Sequence, residues 1–431
     1  MSTSTSSSTL RSATSSLRLE ELSTSAQKGF SVILVIAGVI VLAVVLLFAF
    51  KAQQIYQQKT GGNSHPIQDL AGRAKCSEHP KFAVSPLNPQ DLGFITHLGR
   101  MSDSHVTPTD HQYWAPKSAK YRSDYTNMTL VYNIYSPADG VISSVEEHTF
   151  VPSDRNSPKI DDWRIIINHD CGVSTIYIHL DKLSDEISSK IGKQRGSQNG
   201  TINYEANIPV KKGQIISRQA ERSFDFSMHD ENVTLPGFVN PKRYENEFWK
   251  IHTVDPFDYF EDSIKQQLLT KVLRKAPPRG GKIDYDIEGK LVGTWFREGY
   301  DPRNINGRFW DAQLTIAYNN FDPSKIFVST GNFNGSSKQF AVAGNVPDPK
   351  EVTVGQMVKY EVVSFSYVDA EGQSWNENRY TPEVKLIPAI QVEGVMLFKL
   401  QDKSTLKVET FPGKKASEVL DFTSKVQIYN R

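Results

Sequence analysis

The chain has 431 residues, 38% of them apolar and 23% charged, with 49 Lys and Arg set against 48 Asp and Glu. A net charge of +1 excludes the basic field that nucleic-acid binding requires, so no nucleic-acid partner is expected. Aromatics at 10%, with 22 Pro and 27 Gly, point to a β-rich chain with many turns.

Residues 1–28 are rich in Ser and Thr and low in complexity, the composition of a disordered tail. Residues 30–50 then read FSVILVIAGVIVLAVVLLFAF, with no charge between Lys28 and Lys51. A helix of that length covers the ~30 Å hydrocarbon core, and in lipid only a helix satisfies every backbone N–H and C=O within the segment. No polar stripe marks it as a core helix, and bulky FAFKAQQIYQQK stands where a signal peptide has its small-residue cleavage site. Residues 29–51 are therefore expected to span a membrane once.

Flanking charge barely orients the span, because Arg18 and Lys28 on one side face Lys51 and Lys59 on the other. The short polar tail reads as the cytoplasmic end. The bulk after the span is expected outside the cell membrane as an ectodomain. It holds the only two cysteines, Cys76 and Cys171, and four Asn-x-Ser/Thr sequons at Asn127, Asn199, Asn232 and Asn334. The two cysteines are expected to be joined as one disulfide, the alternative being two unrelated buried thiols. Residues 52–75, polar with Gln pairs and a Gly-Gly, read as a stalk.

Residues 76–262 are expected to form an antiparallel β domain. The run 131–151 has a Pro-Ala-Asp-Gly turn between two β-rich stretches, a hairpin signal. Residues 163–183 repeat it around Asp170-Cys171-Gly172, and Lys212-Gly213 marks a further tight turn. Residues 263–281 read as a helical link: Ile264, Leu268, Leu269 and Val272 share one face, and the pattern ends at Pro277, Pro278, Gly280 and Gly281. Few contacts are expected to cross it.

Residues 282–431 contain about eight strand-length runs at regular spacing. They fit a closed barrel, which removes exposed edges, with a sandwich as the alternative. Gly293-x-Trp295 in the first run and Arg431 at the end of the last are similar to the end signatures of lipocalin-like barrels. A barrel of this size can hold a small apolar ligand, but no residue identifies one. The fold class expected is thus mainly β: one N-terminal transmembrane helix, an antiparallel β domain and a C-terminal β-barrel.

The residues able to bind metal or move protons lie in the first β domain. His105, Asp110 and His111 fall within seven residues, and Asp225 lies in a later short strand. His179 ends TIYIHL, where alternation puts it with Tyr177 on one face and Ile176 with Ile178 on the other. His nitrogen and carboxylate oxygen are zinc donors, and a strand-end His is placed to move a proton.

The order of these pieces resembles the lysostaphin-type (LytM-like) zinc metallopeptidases over residues 100–230. The hairpin 135–142, the Tyr-x-His-Leu strand with His179 and the Val-Lys-x-Gly-x-x-Ile run 210–216 carry the resemblance. It implies a bound Zn2+, with His105 and Asp110 as metal ligands and His179 as the catalytic histidine. The chain departs from the family where His-x-His would stand: it reads Ser223-Phe224-Asp225. Four residues, not the usual three, separate His105 from Asp110, and His111 follows directly. Asp225 or His111 then stands as the third ligand. The resemblance leaves two readings open. One is a membrane-tethered zinc peptidase with an altered shell, acting on cell-surface or envelope polypeptides. The other is a non-catalytic relative that binds such chains as a surface scaffold.

Overall fold

The computed structural model describes residue 76 and residues 79–119, 129–148, 161–198, 200–302, 307–377 and 379–431. The apolar run 30–50, the tail and the stalk lie outside them. Among the described residues no helix is long and apolar enough to cross a membrane.

The chain is mainly β, and Asp69–Arg431 form one compact unit. In chain order its first twelve strands are β1 Leu92–Thr96, β2 Gln112–Pro116, β3 Tyr132–Tyr135, β4 Gly140–His148, β5 Trp163–Asn168, β6 Val173–Leu180, β7 Lys182–Leu183, β8 Gln194–Gln198, β9 Thr201–Tyr204, β10 Ile208–Val210, β11 Ile215–Gln219 and β12 Phe224–Asp230. Nine of them make an antiparallel sheet in the order β1-β2-β12-β6-β5-β4-β9-β8, with β10 also on β4. The other three form a small sheet, β3-β11-β7. Alternate residues of both sheets meet in one core, including Ile134 and Ile216 from the small sheet and Ile165, Tyr177, Phe224 and Phe226 from the large one.

The turn at 136–139 does not make the expected hairpin. It joins β3 to β4, which lie in different sheets, and Lys212-Gly213 likewise carries the chain from β10 to β11. Both turns sit between runs that bury their apolar faces in the same core from opposite sides, so pairing the two runs would leave one face uncovered. Of these three turns, the one at Asp170–Gly172 closes a hairpin, β5 on β6.

The remaining strands are β13 Gly293–Arg297, β14 Gln313–Tyr318, β15 Ile326–Phe333, β16 Ser336–Val342, β17 Met357–Val368, β18 Ser374–Trp375, β19 Lys385–Leu400, β20 Thr405–Pro412 and β21 Gln427–Asn430. β18 pairs antiparallel with β17 as a short side strand, and with it set aside each strand pairs antiparallel with its sequence neighbours. β16 pairs with β17 and β21 returns to β13, which closes an eight-stranded barrel. Each of the eight predicted runs contributes one strand. Inward positions from all eight strands form a single cluster around Trp295, Phe340, Tyr360 and Phe398, so side chains fill the interior.

The Gly293-x-Trp295 and Arg431 signature has a physical basis here. The Arg431 guanidinium lies over the Trp295 ring, 3.8 Å from its centroid. It also donates to the carbonyls of Val292 at 2.7 Å and Ile287 at 3.0 Å, tying the last residue to the first strand. Gly293 has φ +127°, and a Cβ there would come within 2.2 Å of Asp286 Oδ1, so no other residue fits.

The expectation that few contacts cross 277–281 is not met. The helix stops at Leu269, and the chain continues as an extended edge along β1, where Ile95 N donates to Lys271 O at 2.9 Å. Gly281, at φ +100°, abuts Leu98 so closely that a Cβ would lie 2.3 Å from its carbonyl oxygen. Two apolar clusters span the seam: Leu98, Phe238 and Tyr244 with Ile283 and Phe296, and Phe94, Ala115 and Leu273 with Phe321, Trp375 and Val384. His97 Nε2 and Asn320 O, 2.7 Å apart, join the two sides in the buried seam. Apolar burial of this extent holds the two β units in a fixed arrangement.

Candidate functional site

The site lies on the face of the large sheet turned away from the core. On β12, alternation sends Phe224, Phe226 and Met228 into the core and leaves Asp225, Ser227 and His229 on the opposite face. Asp225 pairs across to Tyr113 on β2 and to Ile178 on β6.

By parity His179 would follow Tyr177, and it does not. Trp163 stands opposite Leu180 and Ile165 opposite Tyr177, so β6 carries one extra residue there, a β-bulge. His179 takes a left-handed backbone, φ +64°. The bulge turns its ring out towards Asp225, while Tyr177 stays fully buried and gives its hydroxyl to Tyr135 O at 3.0 Å. The predicted sharing of one face by Tyr177 and His179 is therefore corrected by the bulge. A β-carbon is disfavoured in this conformation by about 1–2 kcal/mol. His179→Gly and His179→Ala both lose the imidazole, so urea denaturation should show the glycine variant more stable by about 1 kcal/mol. An equal or more stable alanine variant would mean that the position is not held left-handed.

The side chains form a string of alternating carboxylates and imidazoles. His111 Nδ1 donates to Asp110 Oδ1 at 3.0 Å, and its Nε2 lies 3.2 Å from the Tyr113 hydroxyl and 3.4 Å from Asp225 Oδ2. The same Asp225 oxygen is 3.6 Å from His179 Nε2. His179 Nδ1 in turn donates to Asp162, at 2.9 Å and 3.1 Å from its two oxygens. Asp162 also faces Arg222 at 3.9 Å. Asp225 and Asp162 are buried, and His179 is the member open to solvent, its side chain 45% exposed.

Charge sets the protonation of this string. Burial alone would lower the His111 imidazole, but the Asp225 and Asp110 carboxylates outweigh it and raise its pKa. His179 is also raised: the cost of burial is overcome by its hydrogen bond to Asp162 and by the Asp225 charge. Burial pushes Asp110 and Asp162 up, yet both end below the usual carboxylate range. The hydrogen bond from His111 and the Lys250 charge do this for Asp110, and the hydrogen bond and charge of His179 do it for Asp162. The string thus favours carboxylates next to imidazolium ions, able to pass a proton or to present paired charges to a bound chain.

Of the residues singled out in the sequence, Asp110, His111, Asp225 and His179 come together. His105 is drawn in only at the margin: its ring packs edge-on against His111, with centroids 5.9 Å apart, and the Asp225 carboxylate meets His111 and His179 instead. Asp110 does not point its oxygens at a common centre, since Oδ1 accepts from His111 and Oδ2 accepts the Trp249 indole N–H at 2.8 Å. The proposed zinc shell is not assembled: among the described residues, no three His, Cys, Asp or Glu side chains are arranged to hold a metal ion.

Sequence reasoning missed Asp162, Tyr113, Trp249 and His229. His229 was detectable, because a period of two from Asp225 places it on the same face. It lies buried between Ser227 Oγ at 2.9 Å and Trp249 O at 3.1 Å, and burial pushes its imidazole down to about 4. Trp249 comes from the 3-10 segment Pro241–His252, far along the chain, and no local signal ties it to Asp110. Cys76 and Cys171 are joined as a disulfide, with Cα atoms 5.2 Å apart. No protein-family model, no curated protein and no solved structure matches this chain.

Proposed function

We propose that this chain is a single-pass, membrane-anchored extracytoplasmic protein whose first β unit is a divergent LytM-like fold that binds cell-surface or envelope polypeptides. The observation that carries the reading is the place of Asp225. It stands where the resemblance expects His-x-His, and it lies between two imidazoles, each already backed by a further carboxylate. A paired-charge string with one half-exposed imidazole suits recognition of the charged and hydrogen-bonding groups of a polypeptide. The apolar run 30–50 supports the anchor, and the Cys76–Cys171 bond supports an oxidising, extracytoplasmic setting. The closed barrel with Arg431 over Trp295 supports a lipocalin-like C-terminal unit.

A zinc peptidase with an altered shell is the second reading. It is favoured by one observation: the approach of His111 Nε2 and His179 Nε2 to the same Asp225 oxygen, at 3.4 Å and 3.6 Å. Metal analysis of the full-length protein after incubation with zinc and desalting separates the two. The binding reading expects far less than one zinc per chain and no cleavage of envelope peptides. About one zinc per chain, lost in Asp225→Ala together with peptide cleavage, would establish the peptidase instead.

A further inference from the structure

We infer that the seam between the two β units holds a binding site for a small monoanionic molecule with an apolar body, its carboxylate anchored by Arg274. A cavity of about 410 Å³ opens there, within the roughly 300–1,000 Å³ range of small-molecule sites. Its walls are largely apolar, from Pro277 and Pro278 on one side to Val292, Tyr318 and Pro323 of the barrel, with Ile287 also lining it.

The charged side chains of the lining differ in one respect. Lys282 pairs with Asp284 at 2.5 Å, Lys350 pairs with Asp348 at 3.2 Å, and Asp286 faces Arg431 at 3.7 Å. Arg274 is 3% exposed, and among the described residues no carboxylate lies within ion-pair distance of it. Its Nε and Nη2 donate to the carbonyls of Pro278 at 2.9 Å and Pro277 at 3.3 Å, and its Nη1 to that of Asn320. A guanidinium has five N–H donors and keeps its proton, so donors and a full charge remain beyond those three carbonyls. Neighbouring His97 shares the Asn320 carbonyl, and burial holds its imidazole down to about 3, so it adds no second cation.

A buried cation without a counter-charge is costly, and carboxylate is the partner that a guanidinium fork fits best. A single unbalanced positive charge selects a monoanion over a dianion. The proline, valine and tyrosine walls select an aromatic or short aliphatic body. This site is separate from the Asp225 cluster and does not depend on the function proposed for it.

Calorimetric titration of the full-length protein with 2-naphthoate, 2-naphthalenemethanol and 2-naphthyl phosphate tests the assignment. Naphthoate should bind at least about tenfold more tightly than the neutral alcohol, and the phosphate should gain nothing further. Arg274→Gln should remove the advantage of naphthoate over the alcohol. Ile287→Trp, at a position 46% exposed and outside the core, should weaken both ligands. The assignment is overturned if naphthoate binds no tighter than the alcohol, if its advantage survives Arg274→Gln, or if Ile287→Trp leaves both affinities unchanged. Should Arg274→Gln fail to fold, the naphthoate–alcohol contrast and the Ile287→Trp result decide the matter.

Discussion

Asp225→Ala should lower the unfolding free energy of the full chain by about 3–5 kcal/mol, the usual effect of removing one partner from a buried charge cluster. Asp225 is 5% exposed and stands between two imidazoles whose rings are fixed from behind by Asp110 and Asp162. Without it, His111 and His179 face each other as like charges across a vacated space, and one of them must give up its proton. The pH dependence should change as well. Both imidazoles have folded pKa values raised above the ordinary 6.5. Their stabilisation is therefore full below that value and is lost as pH rises through the folded values. Asp110 and Asp162 are lowered in the folded chain, so their stabilisation is present above the unfolded carboxylate range and is lost as pH falls through the folded values. In guanidinium denaturation the wild type should thus lose stability as pH rises above about 6.5 through the two folded imidazole values, and Asp225→Asn should flatten that slope. A wild-type midpoint that stays level over this range, with a variant that loses under 1 kcal/mol or so, would mean that the cluster is solvated and not structurally coupled.

Breaking the Cys76–Cys171 bond should cost a comparable amount. The two cysteines are 95 residues apart in sequence, and closing a loop of that length removes about 4–5 kcal/mol of chain entropy from the unfolded state in the entropic model. Cys171 sits in the Asp170–Gly172 turn that closes the β5–β6 hairpin, so the bond holds the chain ahead of β1 against the strand that carries His179. Cys76→Ser with Cys171→Ser should show the loss in urea unfolding, and the wild type should reproduce it on reduction. Thiol labelling of the denatured, unreduced protein should find no free cysteine. Two reactive thiols would contradict the bond and, with it, the extracytoplasmic placement.

Much of the barrel was legible because its information is local. Eight strand-length runs at regular spacing each became a strand, and within a strand the alternation of side chains decides which of them point inward. Gly293, Trp295 and Arg431 were visible as a signature because their roles leave little choice of residue: a positive φ against Asp286, a large ring at the barrel end and a guanidinium to cover it. The site was half legible. Asp110, His111, Asp225 and His179 were singled out by residue type and order. Their geometry was not legible, because a list of donors does not say where each oxygen already points: Asp110 has one on His111 and the other on Trp249.

By itself the sequence determined the β-rich class, the eight-run repeat of the C-terminal half, the pool of titratable residues and the apolar run 30–50, which lies outside the described residues. All of these are properties of composition and short-range period. Only the tertiary structure decided that the 136–139 turn crosses between sheets, that a bulge turns His179 outward, and that 277–281 is packed into a seam with a cavity beside Arg274. The physical reason is shared. Each outcome depends on which distant surface covers a segment's apolar face or satisfies its backbone groups, and a segment's own residues specify that need without specifying the partner.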